Sequence, residues 1–153
     1  MKNASKYLRE VVVSYRRTGE LLPESGVLNQ SSVVADYLRT SVYDENVLEY
    51  TESFVVLMLN HSNKVIGYHV LSKGGQTATT ADLRVLFSVA LRCGATAMVI
   101  SNNHPSGSLK ASQSDKDLTK RVVQAANILD IRVLDHVIVT ADSYVSFADE
   151  GLI

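Results

Sequence analysis

An imidazole and a carboxylate stand in this sequence at a spacing that suits metal chemistry. His104 lies in a polar loop over residues 101–111, directly after an apolar run that predicts a buried strand, and loops on a rigid scaffold commonly carry functional groups. Ser112 comes eight residues after His104, and Asp115 follows in the first turn of a predicted helix. The two ends of the loop therefore bring a nitrogen and an oxygen donor towards each other, and this combination suits zinc.

The same segment also fits a purely structural role. Residues 112–115 are Ser-Gln-Ser-Asp, which matches the S-x-x-D/E pattern of a capping box, where the serine and the acid close the N-terminus of a helix. A capping box requires no metal, and an isolated His-Pro dipeptide such as His104-Pro105 is often only a turn. The local pattern therefore leaves metal binding and helix capping both open.

Apolar periodicity predicts the scaffold that would position these residues. Strands are predicted at residues 54–59, 65–71, 95–100, 131–139 and 144–147, and helices at residues 31–41, 83–91 and 112–129. Ser31 or Ser32 is the expected N-cap of the first helix, and Thr80 that of the second. Because strands and helices alternate, we expect a single α/β domain with a mixed β-sheet flanked by helices. The strand at 95–100 would be central and would deliver residues 102 and 104 to the mouth of a cleft.

The chain before residue 47 carries weaker signals. A β-branched run at residues 11–15 predicts a short strand, and a turn-like stretch at residues 18–30 separates it from the first helix. We therefore divide the chain into an N-terminal extension over residues 1–46, with a short strand and a helix, and a main domain over residues 47–153.

The loop and the helix start resemble a known motif. His-Pro-Ser-Gly at residues 104–107, followed by Ser112 and Asp115, resembles the JAMM motif of the JAB/MPN domain, in which two histidines separated by one residue precede seven others, a serine, two others and an aspartate. Further segments resemble the RadC-like branch of this family, at residues 52–57, 74–75, 134–138 and 146–151. The resemblance implies a JAB/MPN-like fold over residues 47–153.

The same resemblance implies a zinc-dependent metallopeptidase or isopeptidase that acts on a peptide or protein substrate. His104 and Asp115 would be zinc ligands, Ser112 would hydrogen-bond the oxyanion, and an upstream glutamate would be the general base. Glu52 is the best candidate for that base because it stands just before the first strong strand, as the family's glutamate does, whereas Glu49 lies in the weaker preceding segment. As a base, Glu52 should not be a metal ligand.

Asn102 departs from the motif. In an extended segment residues 102 and 104 point the same way, so an asparagine stands where the family has its first histidine, and Asn103 faces away and cannot substitute. An asparagine oxygen is a neutral, hard ligand that suits calcium or magnesium better than zinc. We therefore expect Asn102 to be a weak third ligand and the affinity for zinc to be lowered. Two hypotheses follow: an enzyme with a weakened metal site, or a catalytically silent JAB-type protein-interaction module.

Two further reactive side chains receive structural interpretations. His136 belongs to an Asp135-His136 pair that also resembles the family, and this position indicates structural hydrogen bonding rather than direct catalysis. Cys93 ends a predicted helix with no histidine near it in sequence, which is typical of a small packed thiol.

Composition narrows the classes of function. The chain has 15 Lys and Arg against 16 Asp and Glu, a formal charge of −1, so charge does not favour a nucleic-acid partner. A DNA-repair role, which the RadC-like family label suggests, is an alternative that rests on the resemblance alone. The longest apolar run, Phe54–Leu59, is far shorter than the roughly 20 residues that cross a bilayer. With one cysteine and no apolar segment of a secretory signal near the start, we expect a cytoplasmic protein without a membrane partner; the sequence does not indicate its oligomeric state.

Overall fold

A computed structural model describes residues 8–20, 22, 26–74 and 81–153 of the chain. In this part of the chain the strands are β1 (Ser53–Leu59), β2 (Val65–Lys73), β3 (Ala97–Asn103), β4 (Arg132–Val139) and β5 (Tyr144–Ser146). The helices are α1 (Ser31–Tyr37), which continues as a π-helical turn over Leu38–Val42, α2 (Leu83–Arg92) and α3 (Gln113–Ile128). Among the described residues no helix combines the length and the apolar character that crossing a bilayer demands.

The strands form one mixed sheet in the order β2-β1-β3-β4-β5. Strand β1 pairs antiparallel with both β2 and β3, β3 pairs parallel with β4, and β5 closes the sheet antiparallel to β4. The predicted α/β fold with a mixed sheet and flanking helices is confirmed. The apolar run that was expected to form a central strand is β3, the third of five, and its C-terminal end leads directly into His104.

Each face of the sheet carries its own apolar core, because successive side chains of a strand point to opposite faces. Residues 54, 56 and 58 of β1 pack with α2 and α3, whereas residues 57 and 59 pack with α1. Every residue of β1 and β3 is buried, which is why residues 54–59 and 97–100 are continuous apolar runs rather than alternating ones. Helix α1, from the segment with the weaker sequence signals, completes the second core with the fully buried Ala35 and Leu38.

Three local expectations differ from the structure. Neither Ser31 nor Ser32 is the N-cap of α1: Gln30 holds that position without a side-chain cap, and the Ser31 hydroxyl donates to the Asp149 carboxylate. The N-cap of α2 is Asp82, whose carboxylate accepts from Arg84 N; Thr80 and residue 75 of the glycine pair lie outside the described residues. Residues 11–15 form no strand and are exposed.

Cys93 has the environment expected of a packed thiol. It is half-buried at the end of α2, and its Sγ lies 3.6 Å from the Sδ of Met58 on β1.

Candidate functional site

Three elements meet at a small cleft beside the C-terminal end of β3. Antiparallel pairing places Phe54 opposite Asn102, so the segment before β1 lies next to the end of β3, and the N-terminus of α3 closes the third side. The cleft has a volume of about 240 Å³. Its lining comprises Glu52, Phe54, Asn102, His104, Ser112, Ser114, Asp115 and Leu118. All five site residues named from the sequence therefore line one cleft.

His104 and Asp115 form an ion pair at the floor of the cleft. His104 Nε2 lies 3.2 Å from Asp115 Oδ2, and His104 Nδ1 lies 2.9 Å from the carbonyl oxygen of Ser108. Since a carbonyl only accepts, Nδ1 carries a proton and Nε2 is the ring nitrogen that faces the cleft. The hydrogen bond to Asp115 raises the pKa of His104. Burial raises the pKa of Asp115, but hydrogen bonds from His104 and Ser112 outweigh it and lower that pKa to about 2.

Asp115 also closes the N-terminus of α3, so the capping role that the sequence left open is present. Ser112 is the N-cap: its N–H donates to Asp115 Oδ2 at 2.8 Å, and its Oγ accepts from Asp115 N at 3.0 Å. This capping box fixes the direction in which the carboxylate points. In the capping box Ser112 Oγ acts only as an acceptor, so its hydroxyl proton can be donated to a group in the cleft.

Asn102 lies at the centre of a polar cluster formed with Glu52, His104 and Asp115. Its Nδ2 donates to Glu52 Oε1 at 3.1 Å and to Asp115 Oδ1 at 3.2 Å. Its Oδ1 accepts from His136 Nε2 at 2.6 Å. The amide therefore presents hydrogens to the two carboxylates, and in this orientation Asn102 offers no lone pair for the weak metal coordination that the sequence suggested.

Glu52, His104 and Asp115 offer ligand atoms that all lie within 4.8 Å of one another. Donor atoms about 2 Å from a zinc ion are themselves only about 3 to 4 Å apart, so modest side-chain adjustment would let this group surround a cation. One imidazole nitrogen and two carboxylates are chemically suited to a first-row divalent ion. The residues present therefore fit a divalent metal, and Glu52, expected only as a base, is within reach of the same position.

His136 touches the site, which sequence reasoning did not anticipate. It is fully buried, with its ring 4.4 Å from that of Phe147, and burial lowers its pKa to about 4, so it is neutral near pH 7. Its Nδ1 lies 2.6 Å from Thr119 Oγ1, and Thr119 Oγ1 lies 2.7 Å from the carbonyl oxygen of Asp115. The expected structural hydrogen bonding is thus present, and it connects directly to Asn102. The signal that could have indicated this was a histidine directly before the apolar run Val137–Val139.

Asn103 faces away from the cleft, as expected, and its side chain hydrogen-bonds the backbone around the start of β1. Its Oδ1 accepts from Ser53 N at 2.8 Å, and its Nδ2 donates to the carbonyl oxygens of Leu48 and Thr51, both at 2.8 Å. These three bonds tie the turn before β1 to the end of β3. Asn103 therefore holds the backbone that carries Glu52.

Comparison with known proteins gives consistent matches. The family model described as RadC-like JAB domain matches residues 28–152. A UPF0758 protein of Thiobacillus denitrificans is 39% identical over 145 residues, which cover 94% of this chain and 63% of the relative. UPF0758 proteins of Neisseria meningitidis serogroup B (39% over 140 residues, 92% and 60%) and Flavobacterium johnsoniae (50% over 101 residues, 66% and 44%) are also similar. The chain thus spans less than two thirds of the length of each of these relatives.

Proposed function

The chain belongs to the RadC-like JAB domain family, and from that premise we propose that it is a metal-dependent hydrolase of peptide or isopeptide bonds in a peptide or protein substrate. One observation supports this most directly: the ligand atoms of Glu52, His104 and Asp115 converge within 4.8 Å of one another in a single cleft. A helix cap alone would require only Ser112 and Asp115, and it would not explain why an imidazole and a second carboxylate face the same point.

Zinc is the proposed metal, held by His104 Nε2 and Asp115. Zinc accepts mixed nitrogen and oxygen donors, and Nε2 is the His104 nitrogen that is not committed to Ser108. When bound, the ion would supply Lewis acidity that polarises a carbonyl oxygen and brings the pKa of water towards 7. Asp115 is already held ionised, since its pKa lies near 2.

Glu52 is the proposed general base. Its carboxylate is partly exposed at the wall of the cleft, and in this position it would take a proton from water and pass it to the leaving amine. The backbone bonds that Asn103 makes on the other side of β3 fix the segment from which Glu52 projects. The side chain is therefore oriented by the fold and not only by its bond to Asn102.

Ser112 is the proposed donor to the oxyanion. Its Oγ is already held by the N–H of Asp115, so the oxygen is fixed and its own proton is directed elsewhere. A fixed hydroxyl aimed at a developing negative charge stabilises a tetrahedral oxyanion. The small cleft admits a scissile bond with its nearest substituents, so the rest of a peptide or protein would lie across the outer surface.

A silent interaction module is the second candidate, and Asn102 favours it. The amide hydrogens of Asn102 satisfy both carboxylates of the cluster, so the cleft is electrostatically stable without a cation. Such a domain would retain the capping box and the fold while binding another protein instead of cleaving it.

Metal analysis together with a cleavage assay separates the two candidates. Protein purified without chelator should contain zinc in stoichiometric amount, and it should cleave either a fluorescein-labelled peptide mixture or a branched peptide joined through a lysine isopeptide bond. His104→Ala should lose both metal and cleavage. His61→Ala, which removes an exposed imidazole in the turn after β1, is the matched control and should change neither. Absence of zinc after incubation with excess metal would contradict the hydrolase proposal and favour the silent module.

A further inference from the structure

A buried chain of hydrogen-bonding groups runs behind the cluster. It passes from the Asn102 amide to the two ring nitrogens of His136, then to the Thr119 hydroxyl and the carbonyl oxygen of Asp115, with contacts of 2.6, 2.6 and 2.7 Å. Asn102, His136 and Thr119 are 1%, 0% and 3% exposed. Because these groups are shielded from water, their hydrogen-bond partners must be other groups of the protein.

When no cation is present, the number of protons on these groups determines which atoms donate and which accept. A neutral imidazole has one N–H and one lone pair. Because Asn102 Oδ1 is an acceptor, His136 Nε2 carries the proton, and Nδ1 must then accept from the Thr119 hydroxyl. The single hydroxyl proton also faces the carbonyl oxygen of Asp115 at 2.7 Å, so it is shared between the two acceptors. That carbonyl also accepts from the helical N–H four residues later.

A cation near Glu52, His104 and Asp115 would reverse the direction of these hydrogen bonds. The hydrogens of Asn102 Nδ2 would point at a positive charge, whereas a half-turn of the amide directs Oδ1 towards the ion and Nδ2 towards His136 Nε2. Nε2 would then accept, so the imidazole proton would lie on Nδ1 and be donated to Thr119 Oγ1. The Thr119 hydroxyl would then donate to the carbonyl of Asp115 alone. Each link from Asn102 through His136 and Thr119 to Asp115 again pairs one donor with one acceptor, and the number of protons is unchanged.

We propose that Asn102 is a switchable metal ligand, and that His136 is the positioning residue that holds either orientation of the amide through its two neutral tautomers. Without a cation, Oδ1 cannot face the cluster, since it would lie about where Nδ2 now lies, 3.1 and 3.2 Å from two carboxylate oxygens. With a cation, the oxygen completes a set of His104, Asp115 and Asn102 and leaves Glu52 as the base. This inference rests on the metal site of the proposed function.

Nitrogen-15 NMR of histidine-labelled protein at pH 7.5 tests the inference, with zinc as the probe. His136→Phe, which keeps an aromatic ring beside Phe54 and Phe147, assigns the His136 signals. We expect His136 to carry its proton on Nε2 without zinc and on Nδ1 with zinc. In Asn102→Asp a carboxylate oxygen accepts from Nε2 in both states, so the tautomer should stay the same.

The His104 signals separate failure of this inference from failure of the proposed function. If zinc shifts the His104 resonances while His136 keeps its proton on Nε2, the switch is wrong and the metal site stands. If zinc leaves His104 unchanged, both the metal site and the switch are wrong.

Zinc titration calorimetry of two Thr119 variants gives a second test. In the metal-free arrangement one hydroxyl proton is shared between His136 Nδ1 and the carbonyl of Asp115, whereas in the zinc-bound arrangement the hydroxyl would accept one full hydrogen bond and donate another. Thr119→Val should therefore weaken zinc binding by about 2- to 10-fold, the effect of one net hydrogen bond. Thr119→Ser keeps the hydroxyl and should bind like the unmodified protein. Unchanged zinc affinity in folded Thr119→Val would contradict the switch.

Discussion

The side-chain nitrogen of Asn102 bridges the carboxylates of Glu52 and Asp115, at 3.1 and 3.2 Å. The amide thus places partial positive charge between two negative groups. In the JAMM motif that this loop resembles, a histidine stands at this position. The residue that departs from the motif is therefore the residue that lies between the two carboxylates.

Asn102→His should raise the affinity for zinc. The variant replaces an amide that must turn before it can ligate with an imidazole whose nitrogen binds zinc directly. Changes around existing ligands alter metal affinity by roughly 10- to 100-fold, so replacing a ligand should have at least that effect in a calorimetric titration. Asn127→His adds an imidazole to an exposed position on α3 and should leave the affinity unchanged. Equal affinities for Asn102→His and the unmodified protein would show that this position does not contact the ion.

Asn103→Ala should destabilise the domain and impair catalysis together. It removes three hydrogen bonds and leaves the N–H of Ser53 and the carbonyls of Leu48 and Thr51 without that partner. We expect a loss of about 2 to 4 kcal/mol in the free energy of unfolding, measured with urea. Because the turn also carries Glu52, kcat should fall more than zinc affinity. Asn127→Ala, at an exposed position, is the control, and a similarly small effect in both variants would contradict this role of Asn103.

Sequence reasoning located the parts of the site that depend on local spacing. The capping box and the approach of His104 to Asp115 follow from residues on one loop and one helix start, and both are present. The bond between Asn102 and His136 depends instead on how β3 and β4 pair, which no local pattern encodes. The hydrogen bond from the Ser31 hydroxyl to Asp149, remote in sequence, is likewise not encoded by any local pattern.

The stability of the metal-free protein should depend on pH through Asp115. The pKa of this carboxyl falls from 3.8 to about 2 on folding, so its ionised form stabilises the fold above pH 3.8, and this contribution is lost as the pH falls through about 2. The difference in unfolding free energy between the unmodified protein and Asp115→Asn should therefore narrow by about 2 kcal/mol from pH 5 to pH 2. Urea unfolding in the presence of a chelator measures it. A difference that does not change over this range would mean that Asp115 is not held ionised by its partners.

Glu52→Gln should abolish hydrolysis while zinc remains bound. Glutamine has nearly the same shape and keeps a carbonyl oxygen that can accept from Asn102 Nδ2, so the cleft should retain its geometry, but the amide cannot take a proton from water. The loss in kcat should be at least the roughly 10²- to 10⁴-fold typical of a general base, measured on the labelled or branched peptide with zinc content determined on the same sample. Full turnover in this variant would assign the base to another carboxylate such as Glu49. Loss of zinc together with turnover would make Glu52 a ligand, a role that its position within 4.8 Å of the His104 and Asp115 donors permits.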